Sequence, residues 1–485
     1  MDGLVRIIIN LKAKSMQENM LRWCFGIGLC LFAGVCAEAE IRTASVPKQM
    51  YYRYHNDDFT VRVRQVGDRE WTDLYEYKVK VDMDTNSDAS MVQFDFSGEV
   101  EVMVQLNNGT LREAVVRPLS RGIRPQVKGN CLTFRLDRPQ KLSVECNGDR
   151  LHNLHLFAHE LEADVPEEGA PGVMYFGPGW HEPEDAKGRT FRVPSNTTVY
   201  LAPGAVLRGT LNCDSTENVR ICGRGMILET PHGVSANWVK NLTVEDIAVV
   251  NPRYNTMTAA VAENVTIRGL KSFSYQGWGD GLDFYCTRHV RVDDVFLRNS
   301  DDCIAVYSHR WNFYGDTDDM LVTNSTLWAD IAHAINIGTH GDTSTEGEVI
   351  ENLTFRNIDV LEHDEDDRDY QGVMALNAGD HNLIRHVTFD SIRVEHIQEG
   401  QLFHLRVMNL PRYCTGPGRH VEHVTFRNIT YTGQGENLSV VQGYSPEGMV
   451  RHVRFENIVL NGKRAERLED LGLEIGPFVE DITVE

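Results

Sequence analysis

NLTVEDI at 241–247, NVTIRGL at 264–270 and HVRVDDV at 289–295 are three copies of one short motif, and this repetition decides the fold. In each copy an Asn or His precedes alternating apolar and polar residues, which is the pattern of a half-buried β-strand. Further copies are NTTVYL (196–201), NVRICG (218–223), a weaker DMLVTNS (319–325), NLTFRNI (352–358), HVTFDSI (386–392), HVTFRNI (423–429) and HVRFENI (452–458). The early copies recur every 22 to 25 residues. Strand-built repeats of this length predict a right-handed parallel β-helix of about ten coils, and the leucine pattern of a leucine-rich repeat is missing.

The chain ahead of these repeats has a different organisation, although it is also all-β. Residues 40–163 hold short alternating strands separated by turn signals, which predict an N-terminal β-sandwich domain. The segment 164–188 is rich in Pro, Gly and acidic residues and is predicted to be a linker. Residues 189–485 then form the predicted β-helix domain.

The N-terminal segment predicts export. Residues 21–39, LRWCFGIGLCLFAGVCAEA, form the only long apolar run, with Arg22 near its start and a small-x-small pattern ending at Ala39. We expect residues 1–39 to hold a signal peptide cleaved after Ala39, giving a secreted or periplasmic protein. Lipid attachment at Cys36 is the alternative, and the run is too short for a stable membrane span. The net charge of −22 argues against nucleic acid or an anionic membrane surface as a partner.

Cysteines do not form a recognisable framework. Seven remain after the predicted cleavage, namely Cys131, Cys146, Cys213, Cys222, Cys286, Cys303 and Cys414. Cys131–Cys146 and Cys213–Cys222 are possible bridges between nearby strands, but no zinc-ligand spacing occurs. We expect mostly buried, reduced side chains, and neither a cofactor nor a metal.

A second strand follows in each coil, and its copies are aligned through the inward apolar residues Met257, Leu282, Ile304, Ile335, Val373 and Phe403. This alignment places Asn255, Asp280, Asp302, His333, Gln371 and Gln401 in one polar column, with Asp301 beside it. Parallel strands lie about 4.8 Å apart, so these side chains are predicted to meet at the bend before the strand.

Stacked carboxyl groups about 5 Å apart do not all ionise at their usual pKa values. One of them is expected to keep its proton near neutral pH beside an ionised partner, which suits acid–base cleavage of a glycosidic bond. A neighbouring histidine can tune the acid. The alternatives for each residue alone are a solvated turn, a structural histidine or a calcium site.

The order GDGLD (279–283), SDDCIAVY (300–307) and AHAINIG (332–338) resembles glycoside hydrolase family 28, the polygalacturonases and their relatives. The predicted sandwich, with the stretch STLWADIAHAINIG (325–338), looks more like family 49, the dextranase group of the same clan. Both families are inverting hydrolases on right-handed β-helices. The resemblance implies that Asp301 is the general acid and that Asp280 and Asp302 activate water. His333 then corresponds to the histidine that supports the acid.

The sequence also departs from family 28. Gly279 replaces the Thr before the first aspartate, and Ala332 and Ala334 flank His333 where the family has glycines. The Arg-x-Lys element that binds galacturonate has only Arg406 as a candidate, without the lysine, which favours a neutral or unusual polysaccharide. The side chains predicted to contact substrate are Trp278 as a sugar platform and Asn255, Arg310, Asn336 and His340 as hydroxyl partners.

The sequence therefore predicts a secreted inverting glycoside hydrolase acting on a polysaccharide or oligosaccharide. A polysaccharide lyase on the same fold is one alternative, but it needs a basic residue, and the column is short of Lys and Arg. A non-catalytic carbohydrate-binding protein is the other. The linkage, the endo or exo mode and the oligomeric state stay open.

Overall fold

The computed structural model describes residues 39–184, 189–433 and 437–485. The predicted signal peptide lies almost entirely outside the described residues. Within these ranges, no helix is long and apolar enough to cross a membrane. The only helical segments described are three short 3-10 turns, at Lys48–Met50, Leu119–Arg121 and Leu468–Leu471.

Eleven strands build the N-terminal part of the chain. They are β1 (Ile41–Arg42), β2 (Phe59–Gln65), β3 (Thr72–Asp73), β4 (Tyr77–Val81), β5 (Ser87–Phe96), β6 (Val100–Leu106), β7 (Ala114–Arg117), β8 (Gln126–Lys128), β9 (Cys131–Leu136), β10 (Gln140–Cys146) and β11 (Asp149–Glu160). One sheet has the order β1-β5-β11-β10-β7 with β4 added on β5, and the other has the order β3-β2-β6-β9-β8. Their apolar faces form one buried core, so the predicted sandwich is confirmed.

The rest of the chain coils into a parallel β-helix. Its early strands are β12 (Val173–Phe176), β13 (Gly179–His181), β14 (Thr190–Arg192), β15 (Thr198–Leu201), β16 (Ala205–Leu207), β17 (Thr210–Asn212), β18 (Glu217–Gly223), β19 (Met226–Leu228), β20 (Val234–Asn237), β21 (Lys240–Glu245), β22 (Ala248–Val250), β23 (Met257–Ala260), β24 (Glu263–Arg268), β25 (Lys271–Phe273), β26 (Leu282–Tyr285), β27 (Arg288–Asp293) and β28 (Phe296–Asn299). The later strands are β29 (Ile304–Tyr307), β30 (Thr317–Thr323), β31 (Thr326–Ala329), β32 (Ile335–Gly338), β33 (Val349–Glu362), β34 (Met374–Ala378), β35 (Leu383–Val394), β36 (Phe403–Val407), β37 (Val421–Arg427), β38 (Thr430–Tyr431), β39 (Ser439–Gln442), β40 (Val450–Glu456), β41 (Val459–Leu460), β42 (Lys463–Arg464), β43 (Leu473–Ile475) and β44 (Val479–Val484).

These strands form three faces of the β-helix. The motif strands and the short strands that follow them make a continuous 22-stranded sheet, and the second strands make an eleven-stranded parallel sheet, β14-β17-β20-β23-β26-β29-β32-β34-β36-β39-β43. Each strand of this second sheet pairs with its counterpart one coil away, as in Leu282 with Ile304 and Ile304 with Ile335. The prediction of an all-β, right-handed parallel β-helix behind a β-sandwich is confirmed.

The recurring Asn or His of the motif makes the corner of each coil. Asn241, Asn264 and His289 have φ values of 57°, 59° and 57°, in the left-handed region that Asn tolerates better than most residues. The early asparagines also form a ladder, in which Asn264 Nδ2 donates to Asn241 Oδ1 at 2.9 Å. The corner residue therefore both turns the chain and fixes the register between coils.

Aromatic stacking inside the β-helix continues this register toward the C-terminus. Phe355, Phe389, Phe426 and Phe455 are fully buried and lie in one column, each ring centroid 5.1 Å from the next. Because each residue packs on the same residue type one coil away, the column resists slippage.

The sandwich packs on one face of the β-helix. Phe157 of β11 contacts Phe273 and Phe296 of the helix in a mixed apolar cluster. Beside it, fully buried Arg298 donates to both carboxylate oxygens of Asp330, at 2.8 and 2.9 Å, and to Asn153 of the sandwich at 2.8 Å. The guanidinium thereby pairs with a charge of the β-helix and connects to the sandwich through the Asn153 amide oxygen.

Three details differ from, or go beyond, the expectations. Two strands of the first coil, β12 and β13, lie within the segment expected to be a linker and pair with β15 and β16. Met374, not Val373, pairs with Ile335, so Gln371 does not continue the polar column. Both Val373 and Met374 are fully buried, so the apolar pattern alone fits either register. All seven described cysteines are free thiols.

Candidate active site

Asp280, Asp302 and His333 stack on consecutive coils at the bend before β26, β29 and β32. The ladder of backbone hydrogen bonds runs through them: Gly281 N–H donates to the Asp302 carbonyl at 2.9 Å, and Cys303 N–H donates to the His333 carbonyl at 2.8 Å. The backbone spacing therefore places these three residues one coil apart, as the alignment predicted.

Three carboxyl groups meet at this point. One oxygen from each of Asp280, Asp301 and Asp302 lies within 4.8 Å of the other two. Burial and the neighbouring charges of Asp283, Asp301 and Asp302 raise the pKa of Asp280 well above its usual value. Burial and the Asp302 charge raise the pKa of Asp301 to about 6. At neutral pH the cluster therefore keeps a proton on its carboxyl groups, and a general acid requires such a proton.

Asp301 is held by backbone donors. Its Oδ2 accepts the Trp278 N–H at 2.8 Å, and its Oδ1 accepts the Asp302 N–H at 3.0 Å. Trp278 has a left-handed φ of 61°, an unfavourable conformation for a bulky residue. This backbone conformation aims the Trp278 N–H at the carboxyl group and so fixes its orientation.

His333 and Asp302 form a buried ion pair. The His333 Nδ1–H and backbone N–H both donate to Asp302 Oδ1, at 2.7 and 3.1 Å, and Nε2 lies 2.9 Å from the Tyr370 carbonyl. Burial alone would lower the pKa of His333, but Asp302 raises it to about 9. Burial alone would raise the pKa of Asp302, but His333 and Asn336 lower it overall. Asp302 therefore stays ionised beside an imidazolium.

Asp283 belongs to this cluster, although we did not predict it. It is 3% exposed on the outer face of β26, and its Oδ2 accepts Asn255 Nδ2–H at 2.7 Å, while no hydrogen-bond donor to Oδ1 occurs among the described residues. Burial raises the pKa of Asp283 to about 7. Strand alternation points Asp283 outward because it follows inward Leu282, and this was the signal that could have found it.

Two predicted substrate contacts support the carboxylates instead. Asn336 is fully buried and donates to Asp302 Oδ2 at 2.8 Å and to the Tyr370 hydroxyl at 2.6 Å. Asn255 is also buried, and it bridges Asp283 and His232 Nδ1, which lies 2.5 Å from Asn255 Oδ1. Both amides are thus hydrogen-bonded within the protein, and a contact of either with a sugar stays a prediction.

The other three predicted contacts lie around the cluster. Trp278 is 70% exposed and borders a groove of 550 Å³ with Met83 and Tyr275. Arg310 lies over the Trp311 ring at 4.7 Å. His340 is edge-on to Tyr307 at 5.1 Å, and burial together with the Arg310 charge lowers its pKa to about 3.

The cluster offers two kinds of chemistry. Three carboxyl oxygens within 4.8 Å also suit a hard cation, the calcium alternative that the sequence left open. The raised pKa values of Asp280 and Asp301, next to ionised Asp302, suit proton transfer.

Comparisons with known proteins bear on the fold and the family of the chain. The chain is 26% identical over 172 residues to an exopolygalacturonase of Cochliobolus carbonum, covering 33% of this chain and 36% of the relative. It is 20% identical over 211 residues to a polygalacturonase of Juniperus ashei, covering 41% and 37%. The chain thus spans less than two thirds of the length of these relatives.

Two solved structures share the architecture. Dex49A from Penicillium minioluteum aligns with a TM-score of 0.63 at 15% identity, covering 91% of this chain and 96% of that one. A family 28 exopolygalacturonase from Yersinia enterocolitica aligns with a TM-score of 0.50 at 12% identity, covering 80% and 96%. The sequence profile described as Glycosyl hydrolases family 28 matches residues 190–469, more than half of the chain. The protein therefore belongs to glycosyl hydrolases family 28.

Proposed function

We propose that the protein is a secreted glycoside hydrolase that cleaves a polysaccharide or oligosaccharide with inversion. The observation that carries this proposal is the division of the carboxyl cluster. Asp301 has a pKa raised to about 6, while Asp302, an immediate neighbour, is kept ionised by His333. A proton donor beside a carboxylate is the pair that glycosidic cleavage needs.

In the proposed mechanism, Asp301 protonates the leaving glycosidic oxygen. Asp280 and Asp302 hold a water molecule, which attacks the anomeric carbon in the same step and loses its proton to ionised Asp302. His333 does not touch the substrate. It lowers the pKa of Asp302 and so keeps a negative charge next to the acid and the developing oxocarbenium ion.

Inversion is proposed from the family resemblance alone. The spacing of the carboxyl groups does not supply it, because their oxygens lie closer together than in most inverting enzymes. Opposed carboxylates in inverting enzymes are about 6.5–9.5 Å apart, whereas here the three oxygens lie within 4.8 Å. The water must therefore lie against the Asp280–Asp302 pair rather than between two opposed single carboxylates. Proton NMR of the first product tests this, since retention of the anomeric configuration would overturn the assignment.

The ion pair of Arg406 favours a neutral glycan. Two relatives carry polygalacturonase names, and a galacturonate would require a cation for its carboxylate. Arg406, the candidate from the sequence, already donates to Asp369 Oδ1 at 3.0 Å and to its carbonyl at 2.9 Å. Polygalacturonate, dextran and a set of neutral plant and microbial glycans should be compared by release of new reducing ends, and we expect the neutral glycans to be cleaved faster.

Asp301→Asn separates hydrolysis from binding alone. The amide preserves an oxygen for the Trp278 N–H but cannot transfer a proton to the leaving oxygen as an acid. We therefore expect kcat to fall by about 10²–10⁴-fold with KM nearly unchanged. An unchanged kcat would overturn the role of Asp301. An unsaturated product would instead indicate a lyase, and glycan binding without any turnover of the wild-type protein would indicate a binding protein.

Export is a separate part of the proposal. We expect the mature chain recovered outside the cytoplasm to begin at Glu40, which N-terminal mass spectrometry can determine. A mature chain that begins at Cys36 and carries a lipid would instead indicate a lipid-anchored protein and overturn cleavage after Ala39.

A further inference from the structure

A second cluster of metal-ligating side chains lies outside the carboxyl cluster, where two loops of consecutive coils meet. His309 follows β29, and Asp342 and Glu348 lie in the loop between β32 and β33. Ligand atoms of the three residues all lie within 4.8 Å of one another. Their side chains are only 13%, 16% and 12% exposed, respectively.

The hydrogen bonding of His309 leaves one ring nitrogen facing the two acids. Nε2 lies 2.9 Å from the Trp311 carbonyl oxygen, so Nε2 carries the hydrogen. Nδ1 points toward Asp342 Oδ2 and Glu348 Oε1, at 3.8 Å from each. This distance is too long for a hydrogen bond, and the buried Nδ1 has no hydrogen-bond partner among the described residues. The buried Nδ1 therefore faces two carboxylates without a hydrogen bond to either.

The two carboxylates differ in their hydrogen bonding. Asp342 Oδ1 accepts the Ser344 N–H at 2.9 Å and the Ser344 hydroxyl at 2.6 Å, which turns Oδ2 toward His309. Glu348 Oε2 is buried and has no hydrogen-bond partner in the described part of the chain. Two carboxylates and a ring nitrogen that come together without hydrogen bonds between them are unfavourable unless a positive charge lies among them.

We propose that His309, Asp342 and Glu348 bind a divalent transition-metal ion, with Zn²⁺ as the best match. Zn²⁺ binds His nitrogen and carboxylate oxygen at about 2.0–2.2 Å, so its tetrahedral ligands lie roughly 3.3–3.6 Å apart. The 3.8 Å from His309 Nδ1 to each carboxylate, with all three ligand atoms within 4.8 Å, requires an inward movement of the side chains. One imidazole with two carboxylates suits Zn²⁺ better than Ca²⁺, which takes about 6–8 oxygen ligands.

The position of the site gives the ion a structural role next to the cleft. Arg310 directly follows His309, and His340 lies two residues before Asp342. The ion would fasten together the two loops that carry these residues. The proposal does not depend on the hydrolase assignment, because binding can be measured without substrate.

The test is calorimetric titration of the untagged full chain with ZnCl₂ after treatment with EDTA. We expect one equivalent to bind, with an affinity lowered more than about 100-fold in both His309→Ala and Glu348→Gln. Glu348→Gln is nearly isosteric, so a folded variant is available even if His309→Ala is unstable. His289→Ala is the matched control, because His289 pairs with an exposed acid, Asp319, at 2.7 Å and should leave binding unchanged.

Two further measurements locate the ion. Zn²⁺ should raise the melting temperature of the wild type and of His289→Ala but not of His309→Ala, and CaCl₂ should bind at least about 100-fold more weakly. Asp280→Asn should keep the bound equivalent. The proposal is overturned if the wild type binds no Zn²⁺, if the His309 and Glu348 variants bind as the wild type does, or if Asp280→Asn alone abolishes binding.

Discussion

Replacing His333 with Asn should move the pH–activity profile toward higher pH. The imidazolium lies 2.7 Å from Asp302 Oδ1, and the pKa of His333 is raised from 6.5 to about 9. That difference corresponds to about 3 kcal/mol in favour of the charged ring. Because the interaction is mutual and His333 is what lowers the pKa of Asp302, loss of the ring should raise that pKa.

The profile of kcat/KM between about pH 3 and 9 measures this change. The acid limb, assigned to ionisation of Asp302, should move to higher pH in His333→Asn. The alkaline limb, assigned to Asp301, should move up less, because His333 has a smaller effect on the pKa of Asp301 than burial and Asp302 have. His363→Phe is the control, since the His363 ring lies 6.3 Å from His333 but has a pKa lowered to about 3 by burial and is uncharged.

The same substitution should also change how the stability of the fold depends on pH. A histidine whose pKa is higher in the folded state stabilises the fold fully below pH 6.5 and loses that contribution as the pH rises through about 9. The wild type should therefore lose up to about 3 kcal/mol across this interval that His333→Asn does not lose. Coinciding limbs and parallel stability curves for the two proteins would refute the ion pair as the source of the Asp302 charge.

Three other predictions concern packing and binding. Arg298→Met should destabilise the fold by about 3–5 kcal/mol in urea denaturation, because it leaves buried Asp330 uncompensated. Arg291→Met, at an exposed ion pair, should cost less than about 1 kcal/mol. Equal losses of stability in the two variants would contradict this prediction. Phe389→Ala should cost about 3–5 kcal/mol by opening a cavity in the aromatic column, and a melting temperature within a degree of wild type would exclude it. Trp278→Ala should raise KM several-fold without loss of stability, because the ring is 70% exposed, and an unchanged KM for every cleaved glycan would rule out the sugar platform.

The repeat was sufficient to predict the stacking of Asp280, Asp302 and His333. Inward Leu282, Ile304 and Ile335 each follow two positions later, and pairing between parallel strands transmits that offset from coil to coil. The prediction succeeded there because every element involved is local to one coil and its neighbour.

The depth at which each side chain is buried, and its hydrogen-bond partners, could not be predicted from the same pattern. The burial of Asn336 depends on Tyr370, which lies in a loop 34 residues away and covers the amide with its hydroxyl group. The pKa of Asp301 depends in part on the hydrogen bond from the Trp278 N–H, which the left-handed backbone at Trp278 directs at the carboxyl group. The sequence did not predict that backbone conformation. Long-range loops and single backbone conformations therefore set the electrostatics, while periodicity sets only the order of residues.

The loops at the ends of β29 and β32 vary in length while the strands keep one fixed separation. Reacting groups carried by neighbouring coils inherit their distance from the hydrogen-bonded backbone, so insertions at the rim leave that distance intact. Such an architecture lets substrate preference diverge quickly while the chemical step is conserved. Grafting rim segments from other members onto this scaffold is thus a practical route to new glycan specificities.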